Sequence, residues 1–190
     1  MSFLQMTTPI VARRLFLGRS GALILSGTAV ALLAGRLALA ATAGGGNPQD
    51  VQILNTALAA ELEAIAAYQL GAESKLLQKP ILDLAVTFQG HHKAHAELLS
   101  STVTKLGGSP VAAKADYHFP AEQLKTQADV LRFAAKLEQG AVSAYLGAVP
   151  LFANRDLAKA AASILGDEAM HWAVLRNVLG EVPVPSAFMA

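Results

Sequence analysis

Six residues interrupt otherwise apolar helical patterns: Glu61, His92, His95, Glu138, Glu168 and His171. "HHKAH" sets His92 three residues before His95, and "DEAMHW" sets Glu168 three residues before His171. On an α-helix that spacing puts both side chains of a pair on one face. Carboxylate oxygens and imidazole nitrogens grouped in this way can hold transition-metal ions. Buried without a partner or a metal they would be too costly to keep.

The elements that must carry these residues are helices, because the chain from about residue 48 has helical periodicity and no useful strand-like alternation. The first is expected to start after Asn47, with Pro48 at its first position and the charge of Asp50 in its first turn, and to run to about Ser74. The second spans about Pro80 to Leu106, before Gly107-Gly108. The third spans about Gln127 to Phe152, bent near Pro150, and the fourth about Asp156 to Leu179, before Gly180.

Each predicted helix has one apolar stripe with polar groups in its middle. Leu54, Ala57, Leu58, Ala64 and Ile65 flank Glu61, while Leu131, Ala134, Ala135, Ala141 and Val142 flank Glu138. Ile81, Leu84, Ala85, Phe88, Leu99 and Val103 share a stripe with His92 and His95. Ala161, Ile164, Leu165, Trp172 and Leu175 share one with Glu168 and His171. Measured from the turns near Leu76 and Asn154, all four polar sets lie at similar depth, within about 3 to 5 Å along a helix axis. Short turns make two antiparallel hairpins. The 19 or so residues between them reach roughly 60 Å when extended, longer than the ~40 Å of a 27-residue helix, so one connection can run the length of a bundle.

The hairpins also repeat: "ELEAIAAY" and "EQGAVSAY" each place a tyrosine seven residues after a glutamate, Tyr68 after Glu61 and Tyr145 after Glu138. Both tyrosines read as packed core residues and as candidates to hydrogen-bond the polar groups. His91 reads as a flanking residue, a solvent-facing one or an alternative to His92. Asp167 is a candidate to orient a histidine, though a helix-surface role is the first expectation. Glu63 is expected to be solvated, and Lys93 with Glu97 to form an exposed pair.

Helices carrying Glu, a ligand-x-x-His pair, Glu and Glu-x-x-His in that order resemble the ferritin-like superfamily of dimetal carboxylate proteins, and imply an all-α antiparallel four-helix bundle with one long crossover between helices 2 and 3. "KLEQGAVSAYLGAVP" and "ASILGDEAMHWAVLRNVLGEVPVPSAF" resemble the bacterial ferritin-like family that includes desiccation-related proteins. By that resemblance Glu61, His95, Glu138, Glu168 and His171 fall on metal-ligand positions. His92 stands where the pattern expects a glutamate, which removes a bridging carboxylate and weakens the case for a second ion. A dimetal site, a single-metal site and an empty bundle remain open. Iron is the first expectation, with manganese, zinc and copper as alternatives. The implied activity is oxidation of iron by oxygen or peroxide. The alternative is a metal-free stress-associated structural or interaction protein on the same fold.

The rest of the 190 residues sets the context. Arg13 and Arg14 precede Phe16 and Leu17, an apolar run follows from Gly21 to Gly35, and Ala38-Leu39-Ala40 offers a small-x-small cleavage site. This resembles a twin-arginine export signal over residues 1–40, with Ala12 and Gly18 departing from the usual flanks. Residues 41–47 then read as a linker, 48–180 as the bundle and 181–190 as a tail. Cleavage implies an exported, periplasmic protein engaged by export machinery. Retention implies a signal anchor at the membrane. The first 40 residues hold four of the 15 basic side chains and none of the 14 acidic ones, so the mature chain has a net charge of −3. That leaves no electrostatic case for nucleic acid. Without cysteine, disulfides and a cysteine-ligated electron-transfer iron in the same chain are excluded. Self-association as a homodimer stays open, and the sequence names no electron donor.

Overall fold

The computed structural model describes residues 46–189, so the export signal expected over 1–40 and the linker up to residue 45 lie outside the described residues. Four long helices carry the fold: α1 (Pro48–Glu73), α2 (Lys79–Lys105), α3 (Gln127–Ala148) and α4 (Arg155–Val178). Among the described residues there is no strand, and no helix is long and apolar enough to cross a membrane.

Local chemistry sets the helix ends. The Asn47 side chain accepts from the Gln49 N–H at 2.9 Å, and Pro48 occupies a position where no N–H is needed. A capping box that the sequence reading passed over opens α3. Its Thr126 hydroxyl accepts from the Asp129 N–H, and Asp129 accepts from the Thr126 N–H at 2.9 Å. α2 and α4 stop at Gly107 and Gly180, whose φ values of 79° and 75° suit glycine. Beyond them the Gly108 N–H reaches the Val103 carbonyl, and the Glu181 N–H the Arg176 carbonyl, both at 2.9 Å. The third helix ends earlier than the expected Phe152. Its α-helical part stops at Ala148, and a single 3-10 turn, Val149–Leu151, carries Pro150, which has no N–H for an α-helical bond.

α1 with α2, and α3 with α4, form the two antiparallel hairpins, which meet chiefly through α1 against α3. The crossover leaves α2 beside the start of α1, where Asn55 Nδ2 donates to the Ser109 carbonyl and Asn55 Oδ1 accepts from the Val111 N–H. It ends at the opposite pole, where the Gln127 side chain accepts from the Gln78 N–H at 2.8 Å. The connection therefore spans the bundle, and α1 faces α3, as α2 faces α4, in antiparallel sense.

The stripes expected from sequence meet in the interior as two apolar clusters. Toward one pole lie Ile53, Leu58, Leu99, Val103, Phe152 and Ile164 with their neighbours. Toward the other lie Phe88, Leu131, Ala135, Trp172 and Leu175. The polar residues lie between the two clusters and are sealed from both ends.

Asp50 ties the hairpins together. Its carboxylate is 2 % exposed and accepts from the Ala153 and Asn154 N–H groups, at 2.8 and 3.0 Å, in the turn before α4. The sequence suggested no more than a favourable charge in the first turn of α1. Replacing it by alanine leaves two backbone donors without their acceptor, so Asp50→Ala is expected to cost about 1–3 kcal/mol. Urea unfolding followed by circular dichroism checks this, as a lower midpoint at unchanged slope.

Candidate metal centre

Glu61 from α1, His92 and His95 from α2, Glu138 from α3, and Glu168 and His171 from α4 converge at mid-bundle. Five of the six are 3 % exposed or less, and only His95 reaches 14 %. One group of donors is Glu61 Oε2, His92 Nδ1, His95 Nδ1 and Glu168 Oε1. Glu61 Oε2 lies 2.8 Å from His92 Nδ1 and 3.5 Å from His95 Nδ1, while Glu168 Oε1 lies 3.0 Å from His95 Nδ1 and 3.6 Å from His92 Nδ1. The second group is drawn from His92, Glu138, Glu168 and His171. His171 Nδ1 stands 3.6 Å from Glu138 Oε2 and 3.4 Å from Glu168 Oε2, and His92 Nε2 stands 3.3 Å from Glu138 Oε1. Glu168, 0 % exposed, turns one oxygen to each group.

These donors meet a fit test for a metal. Five buried atoms have no hydrogen-bond partner: His95 Nδ1, His171 Nδ1, Glu138 Oε2 and both oxygens of Glu168. Buried polar atoms are normally satisfied, and all five face the two donor groups. A tetrahedral ion with bonds of about 2.0–2.2 Å needs donor separations of roughly 3.3–3.6 Å. The observed separations, 2.8 to 3.6 Å, bracket that range.

The surroundings hold the donors in place. Tyr145 donates to Glu61 Oε1 at 2.6 Å, and Tyr68 donates to Glu138 Oε1. Each tyrosine thus bonds the glutamate of the other hairpin. Burial, with the adjacent carboxylates, pushes both phenols well above their usual range, so they stay protonated as donors.

Asp167 corrects the surface role expected for it. Half-buried, it places Oδ2 3.4 Å from Nε2 of both His95 and His171, on the far side of each ring from the donor groups. That contact turns both Nδ1 atoms inward. Its i, i+4 spacing to His171 was the available signal. His91 is not an alternative to His92. It is 45 % exposed outside the cluster, with Nδ1 3.2 Å from Asp167 and 2.9 Å from His171 Nε2, while Phe88 stacks on His171 at 4.0 Å. Lys93 donates to Gln89 instead of pairing with Glu97, and Glu63 is half-buried where solvation was expected.

Burial opposes the imidazolium of His92, but Glu138 and Glu61 overcome it and raise the ring to about 10. His95 rises to about 9 against burial, through Glu168 and Glu61, and His171 to about 9 through Glu138 and Glu168. Burial would raise Glu61 and Glu138, yet the facing imidazoles hold both below the usual carboxylate range.

An all-α bundle with one long crossover and a buried carboxylate–histidine cluster at mid-height defines the ferritin-like class. The chain matches the ferritin-like domain family over residues 49–181 and belongs to it. Its fold is similar to that of a hypothetical protein from Mycobacterium tuberculosis, with TM-score 0.64 and 25 % identity over 73 % of this chain and 96 % of that one. It is also similar to a mycobacterial bacterioferritin, with TM-score 0.64 and 20 % identity over 72 % of this chain and 86 % of the other. Ferritin-like proteins of Bacillus anthracis, described as diiron-carboxylate proteins, align with TM-score 0.60 and 21 % identity over 69 % of this chain and 95 % of theirs. No curated protein matches the chain.

The raised histidine values set a pH dependence for the metal-free protein. Protonation of His92, His95 and His171 contributes stability that is complete below about 6.5, the unfolded histidine value. It is lost as pH climbs through about 9 to 10. In the presence of a chelator the urea midpoint is therefore expected to fall from pH 6.5 to pH 10. Zinc affinity measured by calorimetry is expected to rise over the same interval, because the metal competes with those protons.

Proposed function

We propose that this chain is an exported ferritin-like protein that holds redox-active metal, iron foremost, between its hairpins and uses it to oxidise ferrous iron with oxygen or peroxide in stress protection. The observation that carries this reading is the set of five buried donor atoms without hydrogen-bond partners, all facing two adjoining donor groups. Glu61 and His95 would hold one ion, Glu138 and His171 a second, and Glu168 would span both. When bound, iron supplies one-electron chemistry toward oxygen or peroxide. The chain's residues position and shield it. Tyr68 hydrogen-bonds Glu138 Oε1 and Tyr145 hydrogen-bonds Glu61 Oε1, Asp167 orients the two imidazoles, and the apolar clusters keep water from either pole.

A second reading has its own support. Three imidazoles and three carboxylates compensate one another in the metal-free cluster, with Glu61 and Glu138 held ionised. Such a bundle can stand without metal, as a stress- or desiccation-associated structural protein would require.

Metal content separates the two. Mass spectrometry of mature protein taken from the exported pool without added metal is expected to find about two iron atoms per chain. Glu138→Ala and His171→Ala are each expected to lose at least half of that metal while staying folded. A folded wild type that stays empty when offered iron, manganese or zinc overturns the metal reading.

Export rests on Arg13, Arg14, the apolar run and the Ala38-Leu39-Ala40 site. Arg13→Lys combined with Arg14→Lys is expected to abolish processing, so that intact-mass measurement finds the full chain inside the cell and no mature form beginning near Ala41. Normal export of the double variant removes the twin-arginine assignment.

A further inference from the structure

His92 makes the two donor groups share a ring. Nδ1 faces Glu61 Oε2 at 2.8 Å and Glu168 Oε1 at 3.6 Å, within the group that includes His95. Nε2 faces Glu138 Oε1 at 3.3 Å, within the group that includes His171. His92 is a member of both groups, and its two nitrogens face different carboxylates, Nδ1 those of Glu61 and Glu168 and Nε2 that of Glu138, while Glu168 turns Oε1 to His95 and Oε2 to His171. It is 2 % exposed, and the Tyr68 ring lies against it at 5.2 Å, so the imidazole has no solvent-facing alternative.

We infer that His92 is a bridging ligand, its Nδ1 on one metal ion and its Nε2 on the other, so that the centre is joined by one imidazolate and one carboxylate. This rests on the metal reading above. It also revises the sequence expectation that His92 removes a bridge, because an imidazole, like a carboxylate, carries two donor atoms in one side chain. Each ion then receives two nitrogens and two oxygens: Glu61, Glu168, His92 and His95 on one side, and Glu138, Glu168, His92 and His171 on the other. Both ring protons of His92 pass to solvent as the two ions bind, and no electron is transferred. Such mixed nitrogen and oxygen four-donor sets suit copper(II) and zinc as well as iron, which supplies a spectroscopic probe.

The test uses the metal-free mature chain titrated with copper(II), with copper counted by mass spectrometry and unpaired spins counted by electron paramagnetic resonance at liquid-helium temperature. Two copper ions joined through an imidazolate are magnetically coupled. The expected result is about two ions per chain with most of the spin signal lost, and recovery of the signal from bound copper in His92→Ala. His92→Gln serves the same purpose if the alanine variant does not fold. Two ions with a full spin count in the wild type overturn the bridge and leave the metal reading standing, as does a single bound ion. A silent pair that persists in either His92 variant places the bridge elsewhere and also overturns the inference. Wild-type protein that binds no copper, iron or zinc fails at the metal reading itself.

Discussion

Burying three carboxylates and three imidazoles in the middle of a helical bundle is the constraint around which this structure is arranged. An isolated ionised group in such a place would shift its protonation or unfold the site. Here every charged group has neighbours of opposite sign within 3.6 Å, drawn from all four helices. The compensation requires that the hairpins dock in one register. Sliding α3 along α1 by one turn, about 5.4 Å, would part Tyr68 from Glu138 and Tyr145 from Glu61 together. The apolar clusters stabilise the bundle without favouring one such alignment strongly, because leucine, alanine and valine tolerate sliding better than directed hydrogen bonds do.

The same cluster accounts for two states of the protein. Without metal the imidazoles are held protonated by the carboxylates, and Glu61 and Glu138 are held ionised by the imidazoles. With metal the protons leave and the unpartnered oxygens and nitrogens acquire ligand bonds. Both states are charge-compensated, so the bundle need not fold around an ion. The orienting contacts fall on atoms other than the unpartnered donors, with Asp167 against two Nε2 atoms and the tyrosines against Oε1 of Glu61 and Oε1 of Glu138. They therefore leave the inward donors free in either state.

Much of this was legible in one dimension. Helical periodicity located all four helices, and Asn47, Pro48, Gly107 and Gly180 marked ends that the structure places within a residue or two. The length of the segment after Gly107 implied a crossover that spans the bundle, and equal distances from the turns implied that Glu61, His92, Glu138 and Glu168 meet at one level. Pro150 was read as a bend, where it ends the α-helix instead. Asp50 was read as a local charge, where it clamps the opposite hairpin.

The sequence by itself determined the helices, the hairpin pairing and the depth of the polar residues, because a 3.6-residue repeat, a cap or a turn is set by neighbours along the chain. Only the tertiary structure decided which nitrogen of each imidazole faces inward, that the tyrosines bond across hairpins, and that Asp167 contacts both terminal histidines. It also decided that His92 presents its two nitrogens to different carboxylates, Nδ1 to Glu61 and Glu168 and Nε2 to Glu138. Those outcomes depend on the rotation of each helix about its axis and on the separation of α2 from α4. Both are fixed by packing between residues 70 to 85 positions apart, over which no local pattern extends.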